Sequence, residues 1–480
     1  MERKGFSPRI SLFDTMSGEK KTFDSTEQPT LKIYNCGLTV YDSPHVGHAK
    51  VIIFFDTLRR LLLRKGFRVR YVENFTDVDD KIIQRARELG ISTTLLSERY
   101  IAEYFRDFGT LNVMKADSYP RATRIMADII QLVDGLVKMG AAYVVPSGVY
   151  LDVGKVKSYG KLSKIKLSEL RAGARVEPDP EKKDPLDFAL WKIYDEEPLW
   201  DSPWGRGRPG WHIECSAMVH KELGEPIDIH GGGEDLILPH HEHEIAQSET
   251  LFSKPLSNLW LHVGMLRLSG EKMSKSLGNV IPIAEFVRRW GPNTLRYYLL
   301  SGLYRSQLEY SINVLQNSRE NWRIVESAKA ISDRFPRIGT GEKGDQDDSS
   351  AVTSAILNFD SALSDDMNTP QALSELVKLS RLINLRFSSG QVDGDREESL
   401  STGFNLLFDT LGFSKPSIPD EETKSVEERI TSRNELRKRG EFGRADQIRS
   451  ELERAGYALV DYPGGTLWYK SEYLLPGGSE

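Results

Sequence analysis

The segment that most constrains this chain is Leu31–Val72, because its local signals all point to one supersecondary unit. Leu31 to Asn35 alternates and is rich in strand formers, so it reads as a strand. After a loop, Val51, Phe54, Phe55, Leu58, Leu61 and Leu62 recur at helical spacing on one face. Gly66 ends that helix, and Arg68 to Val72 reads as the next strand. Strand, helix and strand in so short a span predict a βαβ unit, and hence a Rossmann-type parallel sheet in an α/β fold.

Beyond that unit the texture changes several times. From about Lys115 to Pro203 the chain reads as an insertion between two halves of the sheet. A hairpin is expected around Pro146-Ser147-Gly148, and a charged surface loop over Arg175 to Pro185. The α/β texture resumes at Trp211 with short apolar strands at Pro226 to Ile229 and Asn258 to Val263. After Lys272 helical spacing dominates, at Leu295 to Leu300, Ala351 to Leu363 and Ala372 to Phe387. Gly/Asp/Ser-rich Ile338 to Ser350 and Ser414 to Glu422 read as linkers, and a small module read as basic begins near Thr423.

The 480 residues allow roughly three domains. No apolar run approaches the ~18 residues of a membrane helix, and Met1 to Phe13 has no apolar signal region, so the cytoplasm is the expected location and no membrane partner is expected. A net charge of −6 means that a nucleic acid would have to be met by local basic patches. Two cysteines, Cys36 and Cys215, exclude a disulfide framework. They could be core thiols, metal ligands or nucleophiles.

Two constellations carry chemistry. His45-Val46-Gly47-His48 lies between the first strand and its helix, where open α/β sheets bind ligands. A helix N-terminus there favours phosphates, two imidazoles can meet charge developing on phosphorus, and Gly47 leaves room for a flat base. The plain alternative is a helix start with two surface histidines. The second is Lys272-Met273-Ser274-Lys275-Ser276, flanked by Gly270 and Gly278. Its lysines could neutralise a polyphosphate; the plain alternative is a solvated basic loop. Both occurring together, in this order and far apart, is unlike coincidence.

With these motifs the chain resembles the class I aminoacyl-tRNA synthetases. Further stretches narrow the resemblance to the cysteinyl-tRNA synthetase family: Tyr34 to Asp42, Asn74 to Lys81, Gly210 to Ser216 and Ile229 to Gly233. The likeness runs from about Leu31 to Trp468. Val46 stands where isoleucine is commoner, Leu38 where proline is frequent, and Phe442 in a stretch that often carries tryptophan. The family implies a catalytic domain in two halves (1–114 and 204–271, the second bearing the metal site), a connective insertion (115–203), a lysine-loop and stem-contact region (272–306), a helical bundle (307–415) and a small anticodon-binding module (423–480).

It also implies activation of L-cysteine by ATP to cysteinyl adenylate and transfer to the 3′ end of tRNA(Cys). His45, His48, Lys272 and Lys275 would be catalytic, with His45, Gly47, His48, His230, Gly232 and Lys275 on ATP and Mg²⁺ accompanying it. Gly37, Thr76, Trp211 and Asp235 would hold cysteine, although Trp211 could equally be core. Cys36, Cys215, His240 and Glu244 are implied as ligands of one Zn²⁺. The residues themselves agree: Pro239 suits a helix start, His240 and Glu244 then share a face, and two thiolates with an imidazole and a carboxylate suit zinc. His241 and His243 compete for the ligand role. Four protein ligands leave no open position, so Glu244 is the candidate to loosen.

Zinc-based selection makes an editing domain unnecessary. At the C-terminus Arg437, Arg439, Arg444, Arg449 and Trp468 would meet tRNA; the alternative is a solvated helix pair. A monomer is expected. The rival functions are a ligase joining cysteine to an amino sugar, which would lack the C-terminal module, and a non-catalytic tRNA-binding paralogue, which would have lost signature residues.

Overall fold

The computed structural model describes residues 8–166, 180–268, 270–272, 278, 280–334, 349–389, 394–416, 418–462 and 465–474. A hairpin, β1 (Arg9–Asp14) and β2 (Glu19–Asp24), precedes β3 (Thr30–Thr39), α1 (Val46–Arg64) and β4 (Arg68–Thr76). Helices α2 (Asp80–Leu89), α3 (Thr93–Thr110) and α4 (Met126–Lys138) follow. Next come β5 (Ala142–Val145), β6 (Gly148–Leu151), β7 (Phe188–Ile193) and β8 (Gly207–Pro209), an antiparallel sheet in that order. The expected hairpin is its first pair, and β8 carries the inserted sheet to Pro209. The first part of the charged stretch, 175–179, lies outside the described residues.

The chain then returns through α5 (Trp211–Glu222), β9 (Ile227–Gly233), α6 (Glu242–Phe252) and β10 (Ser257–Val263). The central sheet has the order β10-β9-β3-β4 and every pairing in it is parallel. From β3 the chain passes to β4 on one side and later to β9 on the other. The order therefore reverses between β3 and β9, which opens a crevice at their carboxyl ends.

Helix α1 forms because its apolar residues recur every three or four positions, and it ends where Gly66 takes φ +92°. It is buried on nearly every side, since the sheet covers one face and α8 (Pro292–Leu300) the other. Leu58, Leu61 and Leu62 have no exposed surface, a burial that stabilises the fold by about 2 kcal/mol per side chain.

Between β10 and the bundle lie β11 (Leu266–Leu268), β12 (Glu271–Lys272), α7 (Ile283–Trp290), α8 and β13 (Leu308–Tyr310). The bundle is α9 (Ile312–Ser332), α10 (Ser349–Ser364), α11 (Thr369–Ser389) and α12 (Gly394–Thr410). The last unit packs α13 (Asp420–Lys438) and α14 (Phe442–Arg454) on the hairpin β14 (Tyr457–Tyr462) and β15 (Gly465–Lys470).

Buried polar groups lock these units together. Arg296 of α8 is fully buried and donates to Asp56 of α1 and to the carbonyls of Leu111 and Leu411. Asp366, between α10 and α11, accepts from Phe13 N, Tyr304 Oη and both Arg305 nitrogens that reach it. An unpaired charge in such a place would cost several kcal/mol, so these contacts fix the bundle against the sheet. Among the described residues no helix is long and apolar enough to cross a membrane.

Candidate active site and metal centre

A cavity of about 620 Å³ occupies the crevice at the sheet's carboxyl end. Cys36, Gly37, His45, Gly47, His48, Trp211 and Asp235 line it, joined by Tyr41, Lys81 and the backbone wall Val263–Leu266. Tyr41 and Lys81 fall within stretches that carry the resemblance but had no role assigned, and no sequence pattern singled out the Val263–Leu266 wall.

At one end of the cavity, His45 caps α1. Its Nδ1 accepts from His48 N at 3.3 Å, and His48 Nδ1 accepts from His45 N at 3.3 Å. This reciprocal pair is the arrangement of a capping box, with imidazoles replacing the usual hydroxyl and carboxylate. The rings stack at 3.5 Å beside the positive end of the helix dipole.

At the other end the strand itself is irregular. The β3–β4 register shifts between Asn35 and Leu38, a bulge that re-aims Cys36. The bulge depends on Gly37, whose N donates to Asn74 Oδ1 at 2.8 Å; a Cβ there would lie 1.8 Å from the Asn74 carbonyl oxygen. Cys36 Sγ lies 3.9 Å from Cys215 Sγ of α5 and 3.5 Å from Glu244 Oε1 of α6. His240 Nε2 is 3.0 Å from the same Glu244 oxygen. Tetrahedral bonds of ~2.0–2.3 Å separate ligand atoms by roughly 3.3–3.8 Å, so these spacings and this S, S, N, O set fit a single zinc-sized ion.

The four side chains are at most 8% exposed, and only Cys36 reaches the cavity, which puts the cluster at its floor. Electrostatics agree. Burial pushes the Cys36 thiol up, whereas the hydrogen bond from Cys36 lowers that of Cys215. Burial opposes charge on His240, but Glu244 and Cys215 overcome it and raise its pKa to about 10. Burial likewise opposes charge on Glu244, and His230 and His240 overcome it. These shifts favour an anionic Glu244 beside a cationic His240 within the buried cluster.

A second set, Cys36, His230, His241 and Glu244, also converges. His230 Nε2 lies 2.8 Å from Glu244 Oε2, and His241 Nε2 3.3 Å from Cys36 Sγ. His241 in turn meets His262, which meets Thr15. The sequence offered His241 as a competitor but gave no sign of His262. His243 points away, stacked on Phe188 at 3.6 Å and bonded to Tyr159.

Other residues are not where the sequence reading put them. His230 was expected on ATP; it is fully buried against Glu244 and does not line the cavity, because its β9 position faces the Cys36/Glu244 cluster. Gly232 is buried behind Leu236 and His241, and Thr76 is 3% exposed opposite Thr39 in the sheet, so neither lines the cavity. Pro239 does follow a break: Leu238 is the non-helical residue within Ile237–His241, so helical backbone resumes at Pro239 and runs on into α6, which puts His240 and Glu244 on one face. Trp211 is 38% exposed at the mouth, its ring 4.4 Å from that of His240, and is not core. Lys272 ends β12, its side chain outside the described residues, as is Lys275.

The C-terminal module also departs from expectation. Residues 423–480 hold ten Lys/Arg and ten Asp/Glu, a net of zero, so the module is not basic. Asp461 accepts from Arg433, Arg437 and Arg449; Arg449 also bonds Glu453, and Arg444 bonds Glu441. Arg439 has only a 4.0 Å contact with Glu435. Trp468 is 4% exposed in the module's core against Tyr457 and Leu459, so it offers no ring face to a base.

A parallel sheet reversed at β3/β9, a histidine-capped helix at the crevice and a following bundle define a class I aminoacyl-tRNA synthetase. The family described as "tRNA synthetases class I (C) catalytic domain" matches residues 22–320, and "DALR domain" matches 358–415. Similar solved structures include a Mycobacterium tuberculosis methionyl-tRNA synthetase with methionyl-adenylate, at TM-score 0.55 and 17% identity over 80% of this chain and 90% of that one. An Agrobacterium radiobacter LeuRS complex aligns at TM-score 0.58 and 11% identity over 80% and 83%. Both show the fold alone. Cysteine–tRNA ligases of Persephonella marina (42% identical over 96% of this chain and 99% of theirs) and Geobacillus thermodenitrificans (43%, over 96% and 98%) are much nearer. The chain belongs to the cysteine–tRNA ligase family.

Proposed function

We propose that this chain activates L-cysteine with ATP and transfers it to tRNA(Cys), and that the buried Cys36/Cys215/His240/Glu244 cluster binds the Zn²⁺ that selects the substrate. The observation that carries this reading is the convergence of two thiols, an imidazole and a carboxylate at the floor of a cavity whose other end is the His45/His48-capped helix. The first of the two converging sets is preferred because it uses both soft thiolates, leaving His230 to hold the second oxygen of Glu244 and His241 to orient Cys36. When bound, zinc would coordinate the substrate thiolate and disfavour the hydroxyl of serine.

The chain's own groups supply the rest. Asp235 at the cavity suits the substrate ammonium, and Trp211 covers the mouth beside His240. The amino acid's carboxylate then faces the end of α1. There His45, His48 and the helix dipole oppose charge as it builds on the α-phosphate. Lys272 and Lys275, with Mg²⁺, are assigned by analogy to the leaving pyrophosphate. The division into catalytic halves, insertion, stem-contact region, bundle and anticodon module is proposed with the boundaries given above, except that the insertion extends to Pro209. The exposed Arg439 and Arg444 are proposed as tRNA contacts, with a cytoplasmic location and a monomeric state.

Cysteine-dependent ATP–pyrophosphate exchange, with serine as control and metal content measured alongside, tests the proposal. Exchange with cysteine, none with serine, and parallel loss of zinc and exchange on chelation are expected. A folded, zinc-loaded protein without exchange would overturn it in favour of a non-catalytic tRNA-binding role.

A further inference from the structure

Lys50 is a lysine where the fold could have used an apolar residue. It follows the histidine pair by half a turn on α1 and is only 3% exposed. Its Nζ donates to Gly264 O and to Ser306 O, each at 2.6 Å. These carbonyls belong to two backbone segments that touch. Gly264 N donates to Tyr304 O at 2.8 Å, and a Cβ on Gly264 would lie 2.5 Å from Arg305 O and 2.7 Å from Ser306 O. The crossing therefore requires glycine, and Lys50 bonds both of its strands. Glu234, at the end of β9, acts on Lys50 as its charged neighbour and accepts from Met265 N at 3.0 Å.

The crossing's position gives Lys50 its importance. Val263–Leu266 form one wall of the cavity and lead into β11, which pairs with both β12 and β13. Beyond β12 the chain returns to α1 at its other root, where Val46 N donates to Ile281 O at 3.0 Å, Ile283 N donates to Pro44 O at 3.1 Å, and His45 bridges Pro282. The first turns of α1 thus lie between two anchors, one made wholly of backbone and one made by Lys50.

We infer that Lys50 is a positioning residue for adenylate formation, its ammonium fixing the Val263–Leu266 wall and the β11–β12 hairpin against the histidine-capped end of α1. The inference rests on the function proposed above. A neutral side chain would leave the buried Gly264 carbonyl and the partly buried Ser306 carbonyl without this donor and let the wall move relative to His45 and His48; displacements of about 1 Å can cost ~10²-fold in rate. Burial lowers the Lys50 pKa to about 8, an effect that Glu234 partly offsets. The ammonium, and with it the alignment, is then lost as pH rises through that value.

The test compares wild type, Lys50→Met, Lys50→Arg and Glu234→Gln in pyrophosphate exchange, with thermal unfolding as the check on folding. Lys50→Met should lower kcat/KM for ATP at least about tenfold while the KM for cysteine stays within about twofold, a split that general damage would not give. Lys50→Arg should recover most of the rate and shift the alkaline fall near pH 8 upward. Lys50→Met at wild-type rate, or Lys50→Arg as slow as Lys50→Met, overturns the inference. If Lys50→Met does not fold, Glu234→Gln decides: a severalfold loss in kcat/KM for ATP supports it and an unchanged rate overturns it. Absence of exchange in the wild type would instead count against the proposed function.

Discussion

At the cleft floor, Cys36 and Glu244 are 208 residues apart in sequence yet 3.5 Å apart in space, and no cluster member is more than 8% exposed. In the C-terminal module the paired arginines meet carboxylates of their own unit, and several are largely exposed: Arg439 is 68% and Arg444 73% exposed. In the cleft, burial raises the cost of any unpaired charge, so each group must be matched and the geometry is rigid. On the module, water screens the charges. The same arginines can therefore satisfy carboxylates in the free chain and exchange them for phosphates at little cost. The contrast suits the tasks proposed for the two regions, one selecting a small molecule to a fraction of an ångström and the other adapting to a polyanion.

The largest expected effect would break this comparison at the cleft. Cys215→Ser should lower kcat/KM for cysteine by more than about 10³-fold and strip the zinc, because even outer partners of a metal ligand are worth 10–100-fold. His230→Ala should stay within that smaller range. If it empties the site as completely as Cys215→Ser, by metal analysis, the set containing His230 and His241 is the true one.

A smaller effect probes the one part of the module that is built like the cleft. Arg433 is 1% exposed, and Asp461 is held well below the usual carboxylate range by Arg433, Thr466 and Arg437 against the cost of burial. Such a depressed pKa adds stability above the unfolded value, which is lost as pH falls through the folded one. Asp461→Asn should thus destabilise the module by about 1–2 kcal/mol in denaturant unfolding at neutral pH, since Asp461 is partly exposed and its charge is screened. Exchange should be intact and aminoacylation impaired; equal loss of both would mean that the module and the cleft are not energetically separable.

The smallest effect is at the exposed arginines. Arg444→Ala should raise the KM for tRNA only about twofold to fivefold and reduce the salt dependence of binding by roughly one unit, leaving exchange unchanged. An unaltered salt slope would remove Arg444 from the interface.

Much of the cleft was legible because its signals are local. The period of Val51 to Leu62 fixes which face of α1 is apolar, Gly66 fixes its end, and His45 and His48 cap it through bonds spanning three residues. The hairpin at Ala142–Leu151 was readable for the same reason. The module misled because composition counts charges without their partners. Seven arginines looked like a basic patch, but Asp461, Glu451 and Glu453 face several of them. Trp468 looked like a stacking platform, but strand alternation turned it inward.

The sequence by itself determined the βαβ unit, the capped helix and the kinds of atom available to a metal, since periodicity, turn chemistry and side-chain type act within a few residues. Only the tertiary structure decided which of those atoms meet. The bulge at Cys36–Gly37, the convergence of His230, His241 and His262, and the seat of Lys50 on Gly264 and Ser306 all depend on strand register and close backbone approach. Those are set by packing between segments that are distant in sequence, where no local pattern records the partner.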